Sequence, residues 1–344
     1  PVDGAGRPLA EPLMYNDKVS DDAMLAAIAR TAPETSAAHG ATSGLAKALW
    51  FQRMPGVHAV LHQADWIGGQ FSDRFDVSDE NNSLKTGYDA EERRWPDWIA
   101  ETGMRLTLLP GVARPGSVTG RLTAAAADLF GLRREVAVVA GTTDGCASFL
   151  ATGAADAGDG VTALGSSLTI KMLSDRPIFA PRYGIYSHRL GDAWLAGGAS
   201  NTGGKVLAQH FPLARIVELS AAIDPAAETG LDYYPLGAAG ERFPIADPSL
   251  QPRLLPRPES DAEYLKAMLE GIAAIEALGY QRLAELGAPR LTSVRSVGGG
   301  AANAAWTEIR RRKLGVDFLP ALSDDAAAGT ARLALMGARE AGLL

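Results

Sequence analysis

Gly141-Thr142-Thr143-Asp144-Gly145 follows directly on the apolar run 136–140. A carboxylate at the C-terminal end of a buried strand points into the crevice where open α/β sheets take ligands. There Asp144 could accept the proton of an attacking hydroxyl, the part a base plays in phosphoryl transfer; the same spacing also suits an Asx-turn or a helix cap. Three glycine-rich elements lie further on: Gly165-Ser166-Ser167, the run Gly197-Gly198-Ala199-Ser200-Asn201-Thr202-Gly203-Gly204, and Gly298-Gly299-Gly300-Ala301-Ala302-Asn303. Glycine lets a backbone approach a phosphate or a flat ring closely, and amides at turns and helix starts favour anions. Tight turns and close helix packing call for glycine equally. On a helix starting near residue 302, Asn303 and Trp306 would occupy neighbouring parts of one face. An amide and an indole so placed could bond the edge of a purine and lie against its plane; alternatively Asn303 is an N-cap and Trp306 a core residue.

Other chemistries find less support. Lys205 follows Gly204, but Ala199 and Val206 stand where a Walker loop needs glycine and Ser or Thr, and there is no strand-linked GxGxxG. His58 and His62 have the i,i+4 spacing of a zinc helix without its glutamate or a third ligand. Cys146 has no local base and reads as a small buried residue, and no GxSxG elbow supports a serine hydrolase. Arg310-Arg311-Arg312-Lys313 falls in the last turns of a helix and reads as a solvated face.

These residues need elements to hold them. The apolar run 136–140 predicts a buried central strand. Residues 161–164 and 168–173 flank the small turn at Gly165 and predict a hairpin. Apolar spacing predicts helices over 36–53 and 57–67, with 73–97 polar, dotted with aromatics and irregular. The longest predicted helix covers 261–287: Leu265, Met268, Leu269, Ile272, Ile275, Leu283 and Leu286 share one broad face, Ser260 and Glu263 have capping-box spacing, and Gly287 is a natural stop. A strand over 292–297 leads into the third glycine element, and a helix over about 303–314 ends at Gly315.

The chain has 344 residues, enough for two domains; 47% are hydrophobic and 21% charged, an ordinary globular composition. A net charge of −7 without long basic runs argues against nucleic acid and membrane surfaces as partners. The single Cys146 cannot form an intrachain disulfide, which fits a reducing, cytoplasmic setting. No apolar stretch is long enough to span a membrane, and the first residues do not read as a signal peptide. Association with further copies of the chain is compatible with the sequence and not specified by it.

Taken in order, Val139-Ala140-Gly141-Thr142-Thr143-Asp144-Gly145, Gly160-Val161-Thr162-Ala163-Leu164-Gly165-Ser166-Ser167, Leu269-Glu270-Gly271-Ile272-Ala273 and Val297-Gly298-Gly299-Gly300-Ala301 resemble the FGGY carbohydrate kinases. Met14-Tyr15-Asn16-Asp17 and Ser43-Gly44-Leu45-Ala46-Lys47-Ala48-Leu49-Trp50 fit as well, so the resemblance spans nearly the whole chain. It implies an α/β protein of two actin-like, ribonuclease-H-like domains with an interdomain cleft, a sugar-binding domain over 1–156 and a nucleotide-binding domain over 157–344. It implies ATP and Mg²⁺ as cofactors and, in the branch it is most similar to, a ketopentose such as ribulose or xylulose as substrate. By motif, Asp144 matches the catalytic base, Gly165 and Ser166 the second phosphate hairpin, Gly299 and Gly300 a further phosphate contact, and Asn303 and Trp306 the adenine site. Asp17 falls in a segment on the sugar side.

The family opens with a hairpin bearing a DxGTxxxR-like pattern, which supplies the first phosphate loop, a metal-facing aspartate and sugar contacts. This sequence lacks it, so the first domain is expected to be incomplete, the chain being a piece of a longer enzyme or a binder of nucleotide and sugar without catalysis.

Overall fold

Ser43 and Asp21 each accept a backbone N–H from the first turn of a helix, Ala46 N at 3.1 Å and Met24 N at 2.9 Å, and so set where the first helices begin. The computed structural model describes residues 1–344 and divides them into two compact units. The first contains Pro1–Ala147, His188–Gly191 and Gly329–Leu344; the second contains Ser148–Ser187 and Asp192–Ala328.

In the first unit the helices α1 (Asp22–Thr31), α2 (Gly44–Phe51) and α3 (Gln63–Ser72) are followed by strand β1 (Val77–Asp79), a single turn α4 (Trp98–Glu101), and strand β2 (Gly111–Ala113), which pairs in parallel with β1. Its core is built from Met24 and Ile28 of α1, Leu45 and Leu49 of α2, and Ile99 and Leu108. Strand β3 (Val118–Arg121), helix α5 (Ala124–Phe130), strand β4 (Ala137–Val139) and helix α6 (Asp144–Ala151) come next.

Three expectations are corrected here. Residues 44–51 alone are helical within 36–53. Val57 to Leu61 is not helical: His58 N and Val60 N donate to Val2 O and Leu108 O, so the helix waits until Gln63, and His58 and His62 share no helix face. Strand β4 is not a buried central strand: it is half-buried and pairs antiparallel with β3 alone.

The second unit is built around a six-stranded sheet. Its strands are β5 (Asp159–Leu164), β6 (Leu168–Ser174), β7 (Tyr186–Leu190, whose residues 188–190 are counted with the first unit), β8 (Ala193–Ala199), β9 (Ser293–Val297) and β10 (Asp317–Leu319), in the order β10-β9-β5-β6-β8-β7. Strands β5 and β6 form the expected hairpin, with Leu164 opposite Leu168, while β5 and β9 run parallel with Thr162 beside Ser296 and Ala163 beside Val297. Helices α7 (Gly204–His210), α8 (Leu213–Ala221), α9 (Asp261–Glu285) and α10 (Ala304–Leu314) belong to this unit. The predicted apolar face of α9 is the one that packs: Leu265, Met268, Leu269, Ile272 and Leu283 are fully buried, each contributing ~1.5–3 kcal/mol of transfer free energy. The last helix, α11 (Ala326–Glu340), takes the chain back to the first unit, where Leu333 lies against Gly116.

Candidate functional site

In the second unit the structure brings the three glycine elements together at the ends of β5 and β9. The exposed turn Gly165-Ser166 closes the β5–β6 hairpin, and its carbonyls accept from the start of α7: Gly204 N to Gly165 O at 2.9 Å and Lys205 N to Ser166 O at 3.1 Å. Gly203, at φ +138°, fits because a Cβ there would stand 2.8 Å from Ser166 O and from Leu168 N; no side chain is accommodated. Buried Glu241 organises the approach to this contact, accepting Ser200 Oγ at 2.6 Å, Asn201 N at 2.7 Å and Tyr234 Oη at 3.1 Å. The ammonium-bearing Lys205 is exposed beside the turn.

The third element leaves β9 level with that turn. Gly298 passes against Leu164 and Gly165; Gly299 is exposed with open space above it. Asn303 is the N-cap of α10: its Oδ1 accepts Trp306 N at 3.0 Å and its Nδ2 donates to Ser220 Oγ on α8 at 2.8 Å. Gly165, Ser166, Gly299, Gly300 and Asn303 therefore lie at one edge of one unit.

Trp306 does not join them. It is 2% exposed in the core with Leu164, Ile272 and Ile309, and its ring fills the space where a Cβ on Gly300 would stand. The expectation that it stacks on a purine is corrected: neither face of the indole is open, because the helix turns it under the glycine loop. The reading of 310–313 as a solvated face is corrected as well, since Arg310 is completely buried and only Arg311, Arg312 and Lys313 are exposed.

In the first unit Asp144 is exposed and opens α6. One of its oxygens accepts the N–H of the next residue, Gly145, at 2.7 Å, while the other carries no hydrogen bond. The turn before it is held from a distance: Asn81 Nδ2 donates to Thr142 Oγ1 at 2.9 Å and to Arg189 O at 2.8 Å. Asn81 is in turn set by Asp79, whose carboxylate accepts Asn81 N at 2.9 Å, Asn82 N at 3.0 Å and Asn82 Nδ2 at 2.5 Å. Beside it Glu80 pairs with Arg93 at 3.0 Å; burial pushes its carboxyl up, and the charges of Arg93, Arg189 and Arg114 oppose that. Glu80 Oε2 and Asn81 Oδ1 are buried without a donor. Sequence reasoning missed this group because it lies in the stretch assigned as irregular; the signal present was Asp79 followed by Asn81 and Asn82, residues that bond the backbone two and three positions on. Asp17 closes its own turn, its Oδ2 accepting Met14 N at 2.6 Å, with Lys47 Nζ donating to Met14 O. Cys146 is buried, as expected.

The C-terminal domain of the FGGY family of carbohydrate kinases matches residues 160–338. The chain belongs to that family. Among relatives, an autoinducer-2 kinase of Yersinia pestis (strain Pestoides F) is 27% identical over 299 residues, covering 80% of this chain and 56% of that protein. The chain thus spans little more than half the length of that relative. Solved structures agree on the fold: a xylulose kinase from Rhodospirillum rubrum superposes with a TM-score of 0.81 at 23% identity, over 98% of this chain and 72% of that one. Glycerol kinase from Plasmodium falciparum, solved with ADP, gives 0.79 at 13% identity over the same shares. The fold of this FGGY chain is accordingly the actin-like, ribonuclease-H-like α/β architecture of those kinases. No helix is long and apolar enough to cross a membrane.

Proposed function

We propose that this FGGY chain carries the nucleotide site and the base of an ATP-dependent kinase that phosphorylates a hydroxyl of a ketose or polyol, a ketopentose such as ribulose or xylulose being the substrate class favoured. The observation that carries this reading is the convergence of Gly165-Ser166, Gly203-Gly204 and Gly298–Asn303 at the ends of two parallel strands in one unit, an edge where open sheets bind ligands. It is joined by family membership and by an exposed aspartate with one oxygen uncommitted in the other unit.

The roles follow from the chemistry of each group. Asp144 takes the proton of the acceptor hydroxyl as that oxygen bonds to the γ-phosphorus and the bond from phosphorus to the ADP oxygen breaks. The bond from Gly145 N holds the carboxylate in one orientation, and Asn81 steadies the turn behind it. The backbone around Gly165, Ser166, Gly299 and Gly300 accepts the phosphates, the glycines presenting no Cβ and Gly299 facing open space, and Asn303 borders the nucleoside end. Asp17 is assigned to the sugar side. Mg²⁺ carried on the nucleotide phosphates, where such ions keep most of their water and few protein ligands, would neutralise charge developing on the transferred group.

Titration calorimetry with MgATP, followed by ADP release against a panel of ketoses and polyols, tests the reading. Asp144→Asn is expected to abolish sugar-dependent ADP release while leaving ATP affinity within about threefold, since the base touches the acceptor and not the nucleotide. Normal turnover in that variant removes the assignment of the base; ATP binding with no sugar-dependent release by the unaltered chain leaves a nucleotide-binding protein without transferase activity.

A further inference from the structure

Beneath the glycine elements lies a buried polar group that the phosphate chemistry does not use. Arg310 and Glu276 are both 0% exposed, and their side chains meet in a two-pronged pair, Nε to Oε2 at 2.6 Å and Nη2 to Oε1 at 2.7 Å. The remaining guanidinium nitrogen, Nη1, donates to Ser296 Oγ at 2.8 Å. On the carboxylate side Thr162 Oγ1 donates to Glu276 Oε1 at 2.5 Å and lies 3.0 Å from Tyr280 Oη.

The places of these residues in the chain matter more than their number. Thr162 is on β5, two residues before Leu164 and the Gly165-Ser166 turn. Ser296 is its register partner on β9, two residues before Gly298. Arg310 is on α10, the helix that Asn303 caps, and Glu276 is on α9. The strands that lead into the first and third glycine elements, and the helix that follows the third, are thus fixed to one guanidinium–carboxylate pair. Apolar residues of similar volume in such a place are often equally stabilising or more so, but their contacts have no preferred direction. Charge-assisted, two-pronged bonds hold a geometry.

We infer that Arg310 and Glu276 are positioning residues that set the spacing between the Gly165-Ser166 turn and the Gly298–Asn303 segment, so that a nucleoside triphosphate spanning both is held at two places at once. This rests on the nucleotide reading given above. A ligand that touches two sites of fixed separation gains because its second contact is intramolecular, and loses that gain when the separation wanders. A ligand that touches only one of them is indifferent.

The test is the full chain with Arg310→Met and Glu276→Met together, a change that removes the pair without leaving either charge alone. Thermal denaturation and calorimetry are read on the same preparation, with ATP, adenosine and tripolyphosphate as probes. The expected result is a melting temperature within about 5 °C of the parent, ATP and tripolyphosphate affinity each reduced about 10–50-fold, and adenosine, which meets only the Asn303 end, changed less than about threefold. Thr162→Val with Ser296→Ala is made in parallel, so that a double-methionine variant that does not fold still leaves a reading; there ATP weakens about 3–10-fold with the same selectivity. ATP bound equally well by a folded variant, or all three probes weakened alike, overturns the inference while leaving the nucleotide site standing. A parent chain that binds no ATP overturns the nucleotide site and this inference with it.

Discussion

Replacing Trp306 distinguishes a core role from a ligand role by size and by observable. The indole is 2% exposed and packs with Leu164, Ile272 and Ile309, so Trp306→Ala opens a cavity of the kind that costs ~3–5 kcal/mol. Against this, the indole Nε1 is buried with no hydrogen-bond partner, and losing an unsatisfied donor returns ~1 kcal/mol. A net destabilisation of ~2–4 kcal/mol is expected, which for a unit of this size lowers the melting temperature by about 4–16 °C. Trp306→Phe keeps most of the volume and discards the unpaired N–H, so its cost stays below ~1.5 kcal/mol. Differential scanning fluorimetry gives the melting temperatures and calorimetry the ATP affinity well below the transition. Had the ring lain against a base, the alanine variant would keep its melting temperature and lose ~1–3 kcal/mol of nucleotide binding. That pattern, stability intact and binding lost, refutes the burial reasoning.

Gly203→Ala forces a Cβ at positive φ into the backbone of the hairpin; it should destabilise the chain by ~1–3 kcal/mol and weaken ATP, and a variant with unchanged melting and unchanged affinity would show that the turn and α7 do not need their close contact. The pH dependence of stability holds two opposed contributions from the start of α3. Burial, first of all, pushes the Asp65 carboxyl up to about 7, so the folded chain keeps a proton that the unfolded chain releases near 4, and this stabilisation, full at low pH, is lost as pH rises toward 7. Burial and then the Lys47 charge bring the neighbouring His62 down to about 4, so its stabilisation is full above about 6.5 and lost as pH falls toward 4. The two offset in the window they share. Urea midpoints between about pH 4 and pH 6.5 should therefore rise with pH in Asp65→Asn and fall with pH in His62→Gln; equal slopes in both variants would contradict the assignment.

What could be read from the chain and what could not divide along a physical line. The apolar period of 261–287 and the hairpin around Gly165 were legible because each is encoded by neighbours in sequence: one face repeating every three to four residues, or two strands about a turn. The glycine elements and Asn303 were legible as candidates, and their convergence needed only that two of them end strands. Trp306 was not, since a spacing of three places two side chains on one helix face without saying whether that face meets a ligand or the core. Arg310 escaped for the same reason: a basic run names its charges, not the one residue whose partner, Glu276, lies on another helix. The Asp79–Asn82 group showed only a turn signal, because the partners that give it meaning, Thr142 and Arg189, lie far along the chain. Strand β4 kept its apolar run but has one neighbour instead of two.

The return of α11 to the first unit has a practical side. The units exchange the chain after Ala147, on either side of His188–Gly191, and again after Ala328, so no single scission yields both intact. A fragment stopping short of Gly329 would strip the first unit of Leu333 and leave Gly116 bare, whereas one starting near Ser148 still carries that helix as an orphan. Anyone wishing to study either half in isolation would have to graft a segment or re-join the termini rather than clip the gene once.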